Sequence, residues 1–253
     1  MTTFDTVTAV VTDRIGQLTL SRPEVLNALS PHCLGEIAQA THYLADQGCS
    51  IIVVAGEGRA FCAGFDLGAF GDVTVDGLET AKAGHDMASA LEDVDAITIA
   101  SIQGHCVGGG LVLAAACDLR IATSTAQFSI PEVDLGIPLA WGGIPRLVRA
   151  IGPSATIDLV ATCRRFGAAE AAQLGLLNRV VEEDDLQSTV QDLAASLADK
   201  TPSVLATTKR QVHEASEALA STAGSWRDAV MLVQAQRDPA SRAAAERHLR
   251  KRD

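Results

Sequence analysis

The segment Gly104-His-Cys-Val-Gly-Gly-Gly110 runs directly into an apolar stretch, Leu111 to Leu119. Consecutive glycines at the mouth of a helix leave backbone N–H groups unobstructed, and the helix dipole makes that end favour negative charge. Upstream, Gly58-Arg-Ala-Phe-Cys-Ala-Gly-Phe-Asp-Leu67 follows a strand-like run and offers a second set of amides. Two such sources can together cradle one developing oxyanion. Downstream, the Pro131-Glu132 turn supplies a carboxylate able to move a proton beside that charge. Taken singly, each feature also has a plain structural reading: turn glycines, glycines that permit close helix–strand packing, a turn carboxylate satisfied by local amides.

Several other chemistries lack their residues. The G-x-G at 56–58 has Phe61 where a dinucleotide fingerprint needs its third glycine, and the later glycines lack the Lys-Ser/Thr ending of a phosphate loop. No G-x-S-x-G elbow exists, so His105 and the glycines have no serine nucleophile to serve. The six cysteines form no C-x-x-C pair, which argues against a structural metal. A formal charge of −11 without a compensating basic stretch argues against a nucleic-acid partner.

The chain's 253 residues suffice for one large domain with a sizeable core. No segment reaches the roughly 18 apolar residues of a membrane span. The N-terminus lacks signal-peptide character. The expected location is the cytoplasm.

The elements that must position the glycines and Glu132 follow from patterning. Residues 7–20 read as two β-runs around a turn near 13–16. Ser30-Pro31 has the form of a cap followed by proline at the first helical position, predicting a helix over 31–47 closed by Gly48. Ile51 to Ala55 is a short continuous apolar run, the mark of a strand buried on both faces. Residues 69–79 read as a mobile loop and 80–92 as a helix. Strands follow at 96–102, 118–122 and 126–130, so strand, turn and helix recur from 51 and again from 97, which suggests repeated β-β-α packing. Beyond about 150 the strand signal fades into helices at 153–163, 168–175, 185–199, 202–220 and 225–250. Such an amphipathic tail docks on its own core or on a neighbouring subunit.

In order, the motifs R-P-x-x-x-N-A-L (22–29), G-R-A-F-C-A-G-x-D-L (58–67), G-x-x-x-G-G-G (104–110), C-D-L-R-I-A (117–122) and A-Q-F-S-I-P-E (126–132) resemble the enoyl-CoA hydratase/isomerase family, the crotonase superfamily. The match continues through Leu135-Gly136, Gly142-Gly143, Arg146-Leu147, Gly152 and Gly175 to Val181. This resemblance implies an α/β crotonase-like (ClpP/crotonase) spiral of β-β-α units over 1–195. It also implies a helical C-terminal oligomerisation region over 196–253 that assembles trimers, or dimers of trimers. The implied substrate is an acyl-CoA thioester, with coenzyme A as part of the substrate and no separate cofactor.

By the same resemblance, the oxyanion-hole amides fall on Phe65 and Gly109. The coenzyme A and acyl moieties would run along Val25, Ala63, Phe65, Asp66, Leu67 and Gly109. Arg22 and Lys209 are candidates for the CoA phosphates, with solvated surface charge as the alternative. Asp66 is expected to cap or brace its turn, and His105 to be a packed or hydrogen-bonded structural residue.

The acid–base set decides the reaction. Family hydratases use two glutamates; here the first position is Val112 and the second is Glu132. The further carboxylate of dienoyl-CoA isomerases maps to Ala140. Asp134 is the rival base. A single carboxylate suits moving a double bond, because it can remove a proton at C2 and return it at C4. Apolar surroundings at Val112, with Trp141 nearby, would raise its pKa toward neutrality. The expected reaction is therefore Δ3,Δ2-enoyl-CoA isomerisation, with enoyl-CoA hydration as the alternative and a non-catalytic acyl-CoA-binding protein as a third reading.

Overall fold

In the computed structural model, which describes residues 2–66 and 76–250, the chain opens with β1 (Thr2–Thr3), β2 (Val7–Thr12) and β3 (Ile15–Leu20). These pair antiparallel in sequence order, and Asp13 makes the β2–β3 turn with φ 54°. The Ser30 hydroxyl then accepts the Cys33 N–H at 3.2 Å, and α1 runs over Pro31–Asp46 from that cap. The preference of serine for the cap and of proline for the first turn accounts for the helix starting there.

The middle of the chain winds in turns. β4 (Ile51–Gly56) is followed by α2 (Asp76–Asp93). β5 (Ile97–Ile102) leads into β6 (His105–Val107) and α3 (Gly109–Ala116), and β7 (Leu119–Thr123) into β8 (Gln127–Ser129) and α4 (Gly143–Thr162). The remainder comprises β9 (Phe166–Gly167), α5 (Ala168–Gln173), β10 (Arg179–Val181), α6 (Leu186–Ala198), α7 (Pro202–Leu219), α8 (Trp226–Arg237) and α9 (Pro239–Arg250).

Among the described residues the main sheet has the order β1-β2-β3-β4-β5-β7-β10, parallel from β3 onward, and a smaller sheet has the order β6-β8-β9. Each turn therefore places one strand in the large layer and the next in the small one. The first turn joins the small layer through a bridge between Cys62 and Cys106. Phe128 and Phe166 continue that row as stacked rings with centroids 5.4 Å apart.

The β4 run is buried on both faces, as its composition predicts. Ile52 and Val54 face the core formed with α1, α2 and α3, whereas Ile51 and Val53 join Ile99 and Ile121 under Leu186, Val190 and Ala194 of α6. Helix α6 thus covers the second face of the sheet, and the 195/196 boundary falls inside it.

Several elements differ from the sequence expectation. Helix α2 starts at Asp76 rather than at 80; residues 67–75, the rest of the expected loop, lie outside the described residues. Residues 143–151 are helical, and Gly152 (φ 76°, ψ 165°) breaks α4 before Pro153 restarts it. The expected helix over 225–250 is two, because Asp238 takes the extended conformation that a following proline imposes. β10 was masked by its brevity: three residues with Arg179 and Val180 exposed carry no apolar run.

Lys209 corrects one expectation directly. Its ammonium is buried on α7, donates to the carbonyls of Leu91 (2.8 Å) and Ala96 (3.0 Å), and pairs with Asp118 at 2.9 Å. It joins α7 to the ends of α2, β5 and β7 and is not available to a phosphate. Lys209→Ala should lower unfolding free energy by about 2 kcal/mol in denaturant titration, since carbonyls lose their donor while the partner Asp118 is partly solvated. The affinity for CoA, measured by calorimetry, should stay unchanged.

Candidate active site

Asn27 organises the first wall of the site. It is buried with φ 56°; its Nδ2 donates to the carbonyls of Glu57 and Ala60, both at 2.9 Å, and its Oδ1 accepts the Arg22 N–H at 3.0 Å. An amide side chain can donate and accept at once, so this residue ties the 22–27 turn to the turn after β4. The adjoining strand edge then pairs: Leu29 N–H donates to Gly64 O (2.8 Å) and Asp66 N–H to Leu29 O (3.0 Å). Arg22 closes the segment through Asp66 at 2.9 Å and the Ala28 carbonyl at 2.6 Å. Asp66 thus braces its turn, and the guanidinium of Arg22 is engaged in that brace.

Gly64 brings this segment against α3. With φ 93°, a Cβ built there would lie 2.7 Å from the Val107 carbonyl and 3.5 Å from the Gly109 nitrogen, so no larger residue fits. Phe65 follows immediately, which places it beside the N-terminus of α3. Gly109 is the first residue of that helix, where the N–H has no intrahelical acceptor and the dipole is positive. The two backbone segments singled out by their glycines are adjacent.

Glu132 reaches the same place from the turn after β8. Its carboxylate packs so closely on Gly108 (φ 51°) that a Cβ there would lie 2.4 Å from Oε1. Oε2 is buried and accepts no hydrogen bond within the described protein. Desolvation by burial raises the carboxyl's pKa to about 7, opposed in part by a hydrogen bond from its own backbone. The rest of the residue is only half-buried, because its stem lines a cavity. Val112 is buried, its Cγ2 lying with Leu139 against the backbone of Gly143.

That cavity measures about 830 Å³. Val25, Ala63, Phe65, Asp66, Gly108 and Glu132 line it, with Val25 exposed at its edge. Gly109 lies directly behind Gly108 and is covered on its Cα side by the indole of Trp141. Leu67 lies outside the described residues. Asp134 also lines the cavity but is exposed, unlike the buried carboxyl oxygen of Glu132.

His105 is a second correction. The alternation of β6 turns Cys106 into the core and leaves His105 exposed on the cavity wall. Arg59 and Gln127, which fall within the quoted motifs without an assigned role, and Arg165, which lies outside them, also line the cavity. Trp141 packs on Gly84, Gly109 and Phe65, and Gly109 adjoins the Gly108 that Glu132 touches.

No helix among the described residues is long and apolar enough to cross a membrane. Comparison with known proteins agrees with this architecture. Residues 11–253 match the family model described as enoyl-CoA hydratase/isomerase. A relative from Mycobacterium tuberculosis (strain CDC 1551 / Oshkosh), named "Probable enoyl-CoA hydratase echA8", is 36% identical over 219 residues, covering 85% of this chain and 84% of the relative. The crotonyl-CoA hydratase of Syntrophomonas wolfei is 34% identical over 191 residues, 74% of each chain. Among solved structures, a Thermobifida fusca YX protein assigned to the enoyl-CoA hydratases and solved in complex with CoA superimposes with a TM-score of 0.78 at 30% identity, covering 98% of this chain and 92% of that one. A spiral of β-β-α turns, adjoining glycine turns and a match over nearly its whole length lead to one conclusion: the chain belongs to the enoyl-CoA hydratase/isomerase family, and has the crotonase fold.

Proposed function

We propose that the protein transforms enoyl-CoA thioesters, with the Phe65 and Gly109 amides holding the thioester oxygen and Glu132 exchanging a proton with the acyl chain. The observation that carries this reading is the carboxyl of Glu132, buried, without a hydrogen-bond partner on Oε2, and pressed against the glycine that opens α3. A carboxyl with a pKa of about 7 changes protonation state cheaply near neutrality, as a proton-transfer group must. Polarising the carbonyl spreads charge into an enolate, and removing one preorganised donor of this kind costs about 3 kcal/mol of barrier. Coenzyme A enters as part of the substrate, and the proposed chemistry calls for no further cofactor.

Hydration is the favoured net reaction. The relatives carry hydratase names, and the expectation of isomerisation gains no support from them. One carboxylate can serve hydration on a single face of the double bond. As the water oxygen bonds to C3, one water proton passes to Glu132; the same carboxyl then delivers a proton to C2 as the enolate collapses. Isomerisation remains a second reading because Val112, buried and apolar, stands where the family's hydratases place another glutamate. There Glu132 would take a proton from C2 of a 3-enoyl thioester and return it at C4.

Incubation with crotonyl-CoA and with a 3-enoyl-CoA separates the two, since hydration consumes the conjugated thioester and isomerisation creates it. Glu132→Gln should reduce either turnover by about a hundredfold or more, the usual contribution of a positioned acid–base group. Hydration that survives this substitution would defeat the role assigned to Glu132. Proton exchange at the α-carbon in deuterated water, present in the wild type and lost in Glu132→Gln, distinguishes an enzyme from an acyl-CoA-binding protein without turnover.

The raised pKa also fixes a pH dependence. The base form predominates above about pH 7, so kcat/KM should rise with pH through that value and level off. For stability the sign is opposite. Between the ordinary glutamate pKa and about 7 the folded protein binds more protons than the unfolded chain, so burial of this carboxylate costs stability as pH rises. Glu132→Gln should therefore stabilise the fold at pH 8 relative to pH 5, by on the order of 2 kcal/mol in chemical denaturation.

A further inference from the structure

Trp141 takes no part in the proton transfer, yet it occupies the ground next to it. Its backbone has φ 61°, a left-handed conformation that a bulky residue adopts only when its surroundings hold it there. Arg146, buried on α4 and paired with Glu92 of α2, donates from Nη1 to the Trp141 carbonyl at 2.6 Å. The next amide, Gly142 N–H, donates to Asp228 of α8 at 2.7 Å.

Held in this way, the indole wedges between three elements. A Cβ built on Gly84 of α2 would lie 2.1 Å from its ring atoms, and one built on Gly109 would lie 2.4 Å from them. Its edge meets the Phe65 ring, with centroids 5.9 Å apart and planes at 69°. One ring therefore touches both residues whose amides are assigned to the thioester oxygen. Phe65, Gly108 and Glu132 line the cavity, and Trp141, Val112 and Leu139 are buried. The buried indole thus lies against the ground assigned to the thioester carbonyl, where the first acyl carbons would follow.

We propose that Trp141 determines acyl-chain specificity: its indole closes the acyl end of the site, admitting short thioesters and rejecting long ones. This inference rests on the acyl-CoA reading above, and its test separates the two by using saturated thioesters, which bind without reacting.

Calorimetric titration with CoA, butanoyl-CoA and dodecanoyl-CoA is the experiment. The wild type should bind butanoyl-CoA about tenfold or more tightly than dodecanoyl-CoA, in line with pockets that discriminate by size. Trp141→Gly suits the left-handed backbone and removes the ring. It should tighten dodecanoyl-CoA about tenfold or more while changing butanoyl-CoA far less. Trp141→Phe, which retains a smaller ring, should fall between and serves if the glycine variant does not fold. Equal or tighter binding of dodecanoyl-CoA by the wild type, or an unchanged preference in the variants, overturns the proposal. Failure of all three ligands to bind overturns the acyl-CoA reading instead.

Discussion

The close approach of Glu132 to Gly108 is the constraint on which the rest of the site depends. A carboxyl driven into a largely apolar interior without a partner for Oε2 is held there only because the opposing residue has no side chain. Gly64 answers the same demand on the other side, where its Cα lies against the Val107 carbonyl and near the Gly109 nitrogen. A larger residue at either position would force these segments apart. The glycines act here by letting backbone, carboxyl and helix end share one small volume; their flexibility is secondary.

Around that volume the scaffold is over-determined. Asn27 links two turns through three hydrogen bonds, Arg22 and Asp66 clamp the segment bearing Phe65, and β5 and β6 deliver α3 from a strand buried on both faces. Buried polar groups are tolerated at this density because most have partners. Glu132 is the exception at the cavity. Burial pushes its carboxyl up to about 7, so the ionised form costs stability where it stands.

What the sequence revealed was whatever depends on local residue type. The Ser30-Pro31 helix start, the Ile51–Ala55 strand and the order of motifs around Gly64, Gly109 and Glu132 are all short-range patterns. Contacts between distant segments were not legible. Lys209 reads as a solvated charge until Leu91, Ala96 and Asp118 converge on it. His105 reads as packed until three residues of β6 set its direction. The first half of α4, lying between Gly142 and Gly152, resembles a glycine-bounded loop in sequence, and β10 owes its existence to pairing with β7. The position of Trp141 over Gly109 belongs to the same class, since its conformation is imposed by Arg146 and Asp228 from other elements.

The bond from Gly142 to Asp228 has a bearing on biosynthesis. The Glu132 carboxyl and both glycine turns lie in the first 132 residues, but the wall beside them is secured from a helix made much later. A ribosome-bound chain can therefore hold Glu132 and the glycine turns before α8 has emerged. The pocket reaches its final shape only after that helix docks, so completion of this wall is a late event in folding.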